Sequence, residues 1–297
     1  MNYRVTHRTT YRYETPVSVS YSEARVLPRS LPHQSVRFSE LVVDPVPVDE
    51  RERLDFFGNR VAHFSLEGEH ESLTVTATSV VEVQSPGRRT DPDARTSWEE
   101  VRRALATDRD PEVIAARQFV LDSPLVASDP SLEAFALASF ARDRPLVDAV
   151  VDLSGRIHRE FAYEPGATTI STHVTEVLER RHGVCQDFAH LAVGCLRSMG
   201  MAARYVSGYL ETEPPDGSER LVGVDASHAW LSVFVPTMGW FDVDPTNDQV
   251  PDQRYITTAW GRDYADVTPI KGVVFNDGGE QDLTVSVDVE RLERLER

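Results

Sequence analysis

The stretch Gly183-Val184-Cys185-Gln186-Asp187-Phe188-Ala189-His190-Leu191 decides how this chain is read. A glycine stands two residues before a cysteine. From there apolar residues recur at helical spacing: Phe188, Ala189, Leu191, Ala192, Cys195, Leu196 and Met199. Gln186, Asp187, His190, Arg197 and Ser198 make up the polar set, and Gly200 supplies a left-handed stop. The pattern predicts a helix beginning at or just before Cys185. A thiol there sits at the positive end of the backbone dipole, which favours its thiolate. Cys195 falls mid-helix on the apolar side and reads as a small core residue. These are the chain's 2 cysteines. On one helix they stand about 15 Å apart, against a limit of roughly 7 Å between Cα atoms for a disulfide. Each is therefore expected as a free thiol.

Downstream, Ala202 to Leu210 reads as a strand. Asp225-Ala226-Ser227-His228-Ala229-Trp230 then leads into a second strand, Leu231 to Val235. Pro236 to Gly239 is a turn, and Trp240-Phe241-Asp242-Val243-Asp244-Pro245-Thr246-Asn247 returns. One arm of this hairpin starts with a histidine and the other ends in an aspartate. A thiol nucleophile needs a base, and the base needs an orienting carboxylate. His228 and Asp244 can meet only on one face of the hairpin. A register in which Pro236 opposes Trp240 and Ser232 opposes Asp244 meets that condition, and a one-residue slip destroys it. Asp242 shares the face and competes on spacing alone, although Pro245 ends the strand at Asp244.

Other residues read more blandly. His182, Cys185 and His190 match no zinc spacing. Asn276 to Asp282 and Asp244 to Asp252 lack the oxygen ladder of a calcium loop; the first reads as a hairpin turn before the strand Leu283 to Val289. No metal and no cofactor is expected. His158 and His173 read as solvated. Trp230 and Trp240 either line the sheet face near the thiol or pack in the core. Glu211, Glu213, Asp216 and Glu219 read as a solvated acidic loop beside the site.

Upstream, Tyr3, Val5, His7, Thr9, Tyr11 and Tyr13 alternate with Arg4, Thr6, Arg8, Thr10 and Arg12, the signature of a half-buried strand. Further strands are expected at Val36–Val43, Val61–Leu66 and Leu73–Val83, with a turn at Phe57-Gly58-Asn59. Residues 1–88 thus read as an antiparallel β domain, and 87–97 as a polar linker. Ser97-x-x-Glu100 is a capping box. Asp110-Pro111 and Asp129-Pro130 each pair an N-cap with a proline at the first helical position. Leu146–Phe161 and Thr175–Arg181 complete the helical set, the latter ended by Gly183. Residues 97–270 form a helical connector and α+β core. Residues 271–297 form a C-terminal strand and charged tail, with Glu290–Arg297 expected as a helical end.

The 297 residues include 31 Lys and Arg against 48 Asp and Glu, a net charge of −17. Such a chain repels nucleic-acid backbones and anionic membrane surfaces, so neither is an expected partner. The start Met1-Asn2-Tyr3-Arg4 carries no apolar signal segment, and no run is long enough to span a bilayer. A cytoplasmic location is expected.

The motifs at 183–189, 225–230 and 244–247 together resemble the bacterial transglutaminase-like proteins, in the papain-like thiol superfamily often labelled cysteine proteases. The resemblance extends to Tyr3-x-Val5-x-His7, Pro28-Arg29 and Phe57-Gly58-Asn59 in the N-terminal β segment, and to Gly261–Val267. It implies a papain-like/transglutaminase-like α+β core with Cys185 as nucleophile, His228 as base and Asp244 as orienting acid. It implies acyl transfer on protein or peptide amide bonds through a thioester, with water or an amine as acceptor. The alternative is a non-catalytic peptide-binding or scaffold protein on the same fold. Some transglutaminases depend on calcium; here any activity is expected to survive EDTA.

Overall fold

The computed structural model describes residues 1–85, 95–212, 227–236 and 238–293. Four strands come first: β1 (Asn2–Ala24), β2 (Gln34–Asp44), β3 (Asp49–Leu54) and β4 (Arg60–Val83). The helices α1 (Trp98–Thr107), α2 (Pro111–Ala116), α3 (Pro130–Leu137) and α4 (Leu146–Glu160) follow. Then come β5 (Ala162–Tyr163), α5 (Val174–Arg180), β6 (His182–Gly183) and α6 (Cys185–Ser198). The remainder is β7 (Ala203–Leu210), β8 (Ser227–Val235), β9 (Gly239–Val243), β10 (Tyr255–Gly261), α7 (Tyr264–Val267), β11 (Ile270–Phe275) and β12 (Gln281–Leu292). Among the described residues no helix is long and apolar enough to cross a membrane.

Two antiparallel sheets organise the chain. The first runs β11-β1-β4-β2, with β12 also on β1 and β3 also on β4. Its inner face takes Tyr3, Val5 and His7 from the alternation noted above. The stretches expected as two strands at Val61–Leu66 and Leu73–Val83 are one strand, β4, whose pairing with β1 shifts register around Val17. β3, sequence DERERL, has all six residues exposed and no apolar alternation to announce it. It forms because β2 covers only Thr74–Val83 of β4, leaving Arg60–Ser65 open for pairing.

The structure places β11 and β12 on the same edge of β1. Val19 faces Phe275 and Tyr13 faces Gln281, so residues 14–18 span the gap opposite 276–280. The expected hairpin turn at Asn276–Asp282 is therefore a break within one antiparallel edge, because both flanking strands find their partner in β1 rather than in each other. The expected helical end is corrected as well. Glu290–Leu292 is strand, paired with Asn2–Arg4, and residues 294–297 lie outside the described ones.

The second sheet runs β10-β7-β8-β9, with α6 packed on β7 and β8. The helices gather round α6, whose Leu191, Ala192, Val193, Cys195 and Leu196 belong to the main core with Leu132, Leu153, Ile157 and Val233. The caps follow local chemistry. Ser97 and Glu100 form the capping box of α1, and Asp110 and Asp129 cap α2 and α3 ahead of their prolines. α5 ends at Arg181, itself left-handed at φ 59°, rather than at Gly183. α6 ends on left-handed Gly200: Gly200 N–H donates to Arg197 O and Met201 N–H to Leu196 O, a Schellman stop.

Glu211 corrects the expected acidic loop. It is buried, accepts Tyr3 Oη–H at 2.9 Å, and takes two hydrogen bonds from the Arg291 guanidinium. It therefore ties β7 to the first sheet. Glu213, Asp216, Glu219 and most of the expected linker lie outside the described residues.

Candidate active site

Cys185 is the first residue of α6, partly exposed, and packs against Ala189, Tyr205 and Ala229. The helix start is built by Asp187. Its Oδ2 accepts Val184 N–H at 2.8 Å and Thr168 Oγ1–H at 2.6 Å. Burial raises the Asp187 carboxyl above its usual range, against those hydrogen bonds. A Cβ at Gly183 would lie 2.8 Å from Asp187 Cβ and Oδ2, so only glycine leaves the carboxylate room to reach back. Both cysteines are free, and burial pushes the Cys195 thiol up to about 12.

The hairpin supplies the other two residues. Val235 opposes Gly239 and Ser232 opposes Asp242, so the register is two residues from the expected pairing of Ser232 with Asp244. Met238 N–H donates to Val235 O at 3.2 Å just before the Val235–Gly239 pair. A slide of two keeps the face parity, since side chains alternate with period two. His228 Nε2 donates to Asp244 Oδ2 at 2.8 Å. With Nε2 so committed, Nδ1 is the ring nitrogen left for the thiol, and Cys185 is close enough to the imidazole to help raise its pKa. Asp242 is engaged elsewhere, accepting from Ser232 Oγ–H and, at 3.3 Å, from Trp230 Nε1–H.

Asp244 is fully buried and saturated with donors. Oδ2 also accepts Asn247 Nδ2–H at 2.6 Å and Tyr255 Oη–H at 2.8 Å; Oδ1 accepts the backbone N–H of Thr246 at 2.8 Å and of Asn247 at 3.3 Å. Burial opposes its charge, but the His228 contact and these donors hold the carboxyl below its usual range. For His228 burial favours the neutral ring. The hydrogen bond to Asp244 and the neighbouring Cys185 outweigh it and raise the pKa. The arrangement stabilises an imidazolium against the Asp244 carboxylate.

Neighbouring rings fix the imidazole. Trp230, fully buried, stacks on His228 at 6.2 Å and 29°, and Tyr255 meets Trp230 edge-on at 5.4 Å. Trp240 is instead a core ring against Phe119 and Phe234. Gly208 opposes His228, and a Cβ there would lie 2.1 Å from Ile256 O and 2.6 Å from Trp230 Cη2. Tyr163 and Tyr205 flank the thiol. Burial, then the charge of Cys185, raises the pKa of each hydroxyl.

The remaining candidates fall outside this cluster. His190 is buried and accepts Tyr264 N–H at 3.1 Å. His182 lies near Glu164 at 3.7 Å. His158 pairs with Thr246 O at 2.8 Å, tying α4 to the turn after Asp244. Among the described residues no group of three or more His, Cys, Asp or Glu side chains is placed to hold a metal ion. Tyr255, Gly208 and Tyr205 were not singled out from the sequence. Nothing local marks them, and each reaches the site by strand pairing or packing.

A thiol at a helix start with a hairpin histidine and aspartate defines a papain-like, transglutaminase-like core. Family profiles agree: residues 3–82 match the bacterial transglutaminase-like N-terminal region, and residues 134–245 match the transglutaminase-like superfamily. The chain is similar to an uncharacterized protein of Mycobacterium tuberculosis, with 44% identity over 97% of this chain and 92% of that one. An uncharacterized protein of Mycobacterium leprae is 36% identical over 97% of this chain and 98% of its own. A protein-glutamine gamma-glutamyltransferase of Pseudomonas aeruginosa is 35% identical over 32% of this chain and 15% of its own. In fold, a "Putative Cysteine Protease" from Cytophaga hutchinsonii superposes with a TM-score of 0.77 at 22% identity, covering 99% of this chain and 91% of that one. The chain belongs to the transglutaminase-like superfamily, with the bacterial N-terminal region of that family.

Proposed function

We propose that the protein transfers acyl groups from protein or peptide amides through a thioester on Cys185. The observation that carries this is the 2.8 Å bond from His228 Nε2 to Asp244, which leaves Nδ1 for the Cys185 thiol. The Cys185 thiolate attacks the carboxamide or peptide carbonyl carbon. The tetrahedral oxyanion forms beside the amides of the first turn of α6, with Cys185 N–H as one donor. The imidazolium gives its proton to the departing amine or ammonia as the C–N bond breaks, leaving the thioester. The neutral imidazole then takes a proton from water or an acceptor amine, which attacks the thioester and expels the thiolate. Asp244 holds the ring orientation throughout. Water as acceptor makes the reaction an amide hydrolysis; an amine makes it a transglutamination, the chemistry named for the Pseudomonas relative.

A panel of glutamine-containing peptides, general peptidase substrates and glutamine peptides with a primary amine tests this reading. Release of ammonia or amine, or formation of a cross-linked product, is expected from wild type and lost in Cys185→Ala. Turnover that persists in Cys185→Ala would overturn it.

A further inference from the structure

β10 is an edge strand of the second sheet, and its outer edge is met by side chains of the N-terminal sheet domain. Gln34 Oε1 accepts Thr257 N–H at 2.8 Å, and Gln34 Nε2 donates to Thr257 O at 2.8 Å. Arg29 N–H donates to the same carbonyl at 3.1 Å. Three residues on, Asn59 repeats the pattern: Oδ1 accepts Trp260 N–H at 2.9 Å and Nδ2 donates to Trp260 O at 2.8 Å. Two buried side-chain amides thus stand in for a neighbouring strand, satisfying backbone groups that an edge leaves open.

Both amides are themselves held. Gln34 Nε2 also donates to Arg29 O at 2.7 Å. Asn59 is bound to the Asp55 carboxylate through its backbone N–H at 2.9 Å and Nδ2 at 3.0 Å. The Arg29 guanidinium bonds to Asn59 Oδ1 and lies over the Trp260 ring at 3.5 Å. At the start of this strand Tyr255 delivers its hydroxyl to Asp244 Oδ2 at 2.8 Å. Its ring is buried, whereas Asn247, the other side chain donating to Oδ2 beside His228, stands on an exposed turn.

We propose that Tyr255 is a positioning residue for the Cys185–His228–Asp244 site, and that the N-terminal sheet domain sets its place by fastening β10 at Thr257 and Trp260. This rests on the reading of Cys185 as the nucleophile. The Tyr255 hydroxyl fixes the rotation of the carboxylate and stabilises its charge. The carboxylate in turn fixes the imidazole that faces the thiol. The domain with no chemistry of its own thereby acts on the site through the backbone of one strand.

The test is the pH profile of iodoacetamide alkylation at Cys185 in the full chain, followed by peptide mass mapping. Wild type is expected to react at Cys185 faster than the urea-unfolded chain at the same pH. Tyr255→Phe keeps the ring against Trp230 and is expected to fold. It should lower the rate at Cys185 about tenfold, the scale of one lost hydrogen bond to a charge, and change the shape of the pH profile. Gln34→Glu keeps the acceptor for Thr257 N–H but sets an oxygen against Thr257 O, and should lower the rate at Cys185 by less. Hydrogen exchange on wild type provides a measurement independent of folding: the Thr257 and Trp260 amides should be as protected as those of β7. A wild-type thiol that reacts like an unfolded one defeats the nucleophile reading and this inference together. An activated wild-type thiol whose profile is unchanged in Tyr255→Phe overturns this inference alone. Fast exchange at Thr257 and Trp260 overturns the part assigned to the N-terminal domain.

Discussion

Asp244→Asn should lower the pKa of His228. The two side chains are 10% and 0% exposed and 2.8 Å apart. An opposite charge at this range moves a pKa by about 1–3 units, and each unit corresponds to about 1.4 kcal/mol. Removing the charge should therefore cost the imidazolium about 1.4–4 kcal/mol. Burial, which favours the neutral ring, is then opposed by Cys185 alone, and titration should fall toward the ordinary value of 6.5. The amide cannot replace the carboxylate. With nitrogen at the Oδ2 position it faces donors from His228, Asn247 and Tyr255; turned over, it faces the N–H groups of Thr246 and Asn247. Stability should follow with a definite sign. A histidine whose folded pKa lies above its unfolded value stabilises the fold fully below the unfolded value and loses this as pH rises through the folded one. The stability gap between wild type and variant should therefore be widest below about pH 6.5 and narrow on the alkaline side. Imidazole 15N resonances, assigned with His228→Gln, give the titration. An unchanged His228 midpoint in Asp244→Asn would refute the reasoning.

Three further outcomes are expected. Gly208→Ala should destabilise the protein by about 3 kcal/mol or more and blunt Cys185 alkylation, because the new Cβ meets the Ile256 carbonyl and the Trp230 ring; a wild-type urea midpoint would contradict the packing. His7 and His190 have pKa values lowered to about 4 by burial. The unfolded chain then takes up their protons first as pH falls from 6.5 toward 4. Urea unfolding should show a loss of about 2 kcal/mol per histidine between pH 7 and pH 5, and His190→Gln should flatten that slope. Limited alkylation should modify Cys185 well before the buried Cys195, and neither that rate nor turnover should fall on adding EDTA; a chelator-sensitive activity restored by calcium would reveal a site outside this account.

Much of the site was legible because its signals are local. The helix start at Cys185, the proline and serine caps, and the hairpin parity that joins His228 to Asp244 all follow from residues within a few positions of one another. The hairpin register was displaced by two, yet the prediction of a shared face survived, since parity depends on odd against even and not on the turn. Long-range pairing hid the rest. β3 carries no apolar period and exists because β4 outruns β2. β11 and β12 find their partner in β1, more than 240 residues earlier in sequence. Glu211 reads as loop acid because Tyr3 and Arg291, at the two ends of the chain, are what bury it. Tyr255 is an unmarked aromatic at a strand start, and its meaning appears only when β10 is laid against β7 with Gly208 empty beside Trp230.

The central claim, that Cys185 carries the acyl group, is tested most directly by incubating the protein with p-nitrophenyl acetate and mapping the acetyl group by mass spectrometry. The expected result is a single acetyl on Cys185, released by hydroxylamine at neutral pH as a thioester is. It should be absent in Cys185→Ala and formed far more slowly in His228→Ala. Acetylation spread over other residues with Cys185 unmodified, or equal labelling with and without His228, would contradict it.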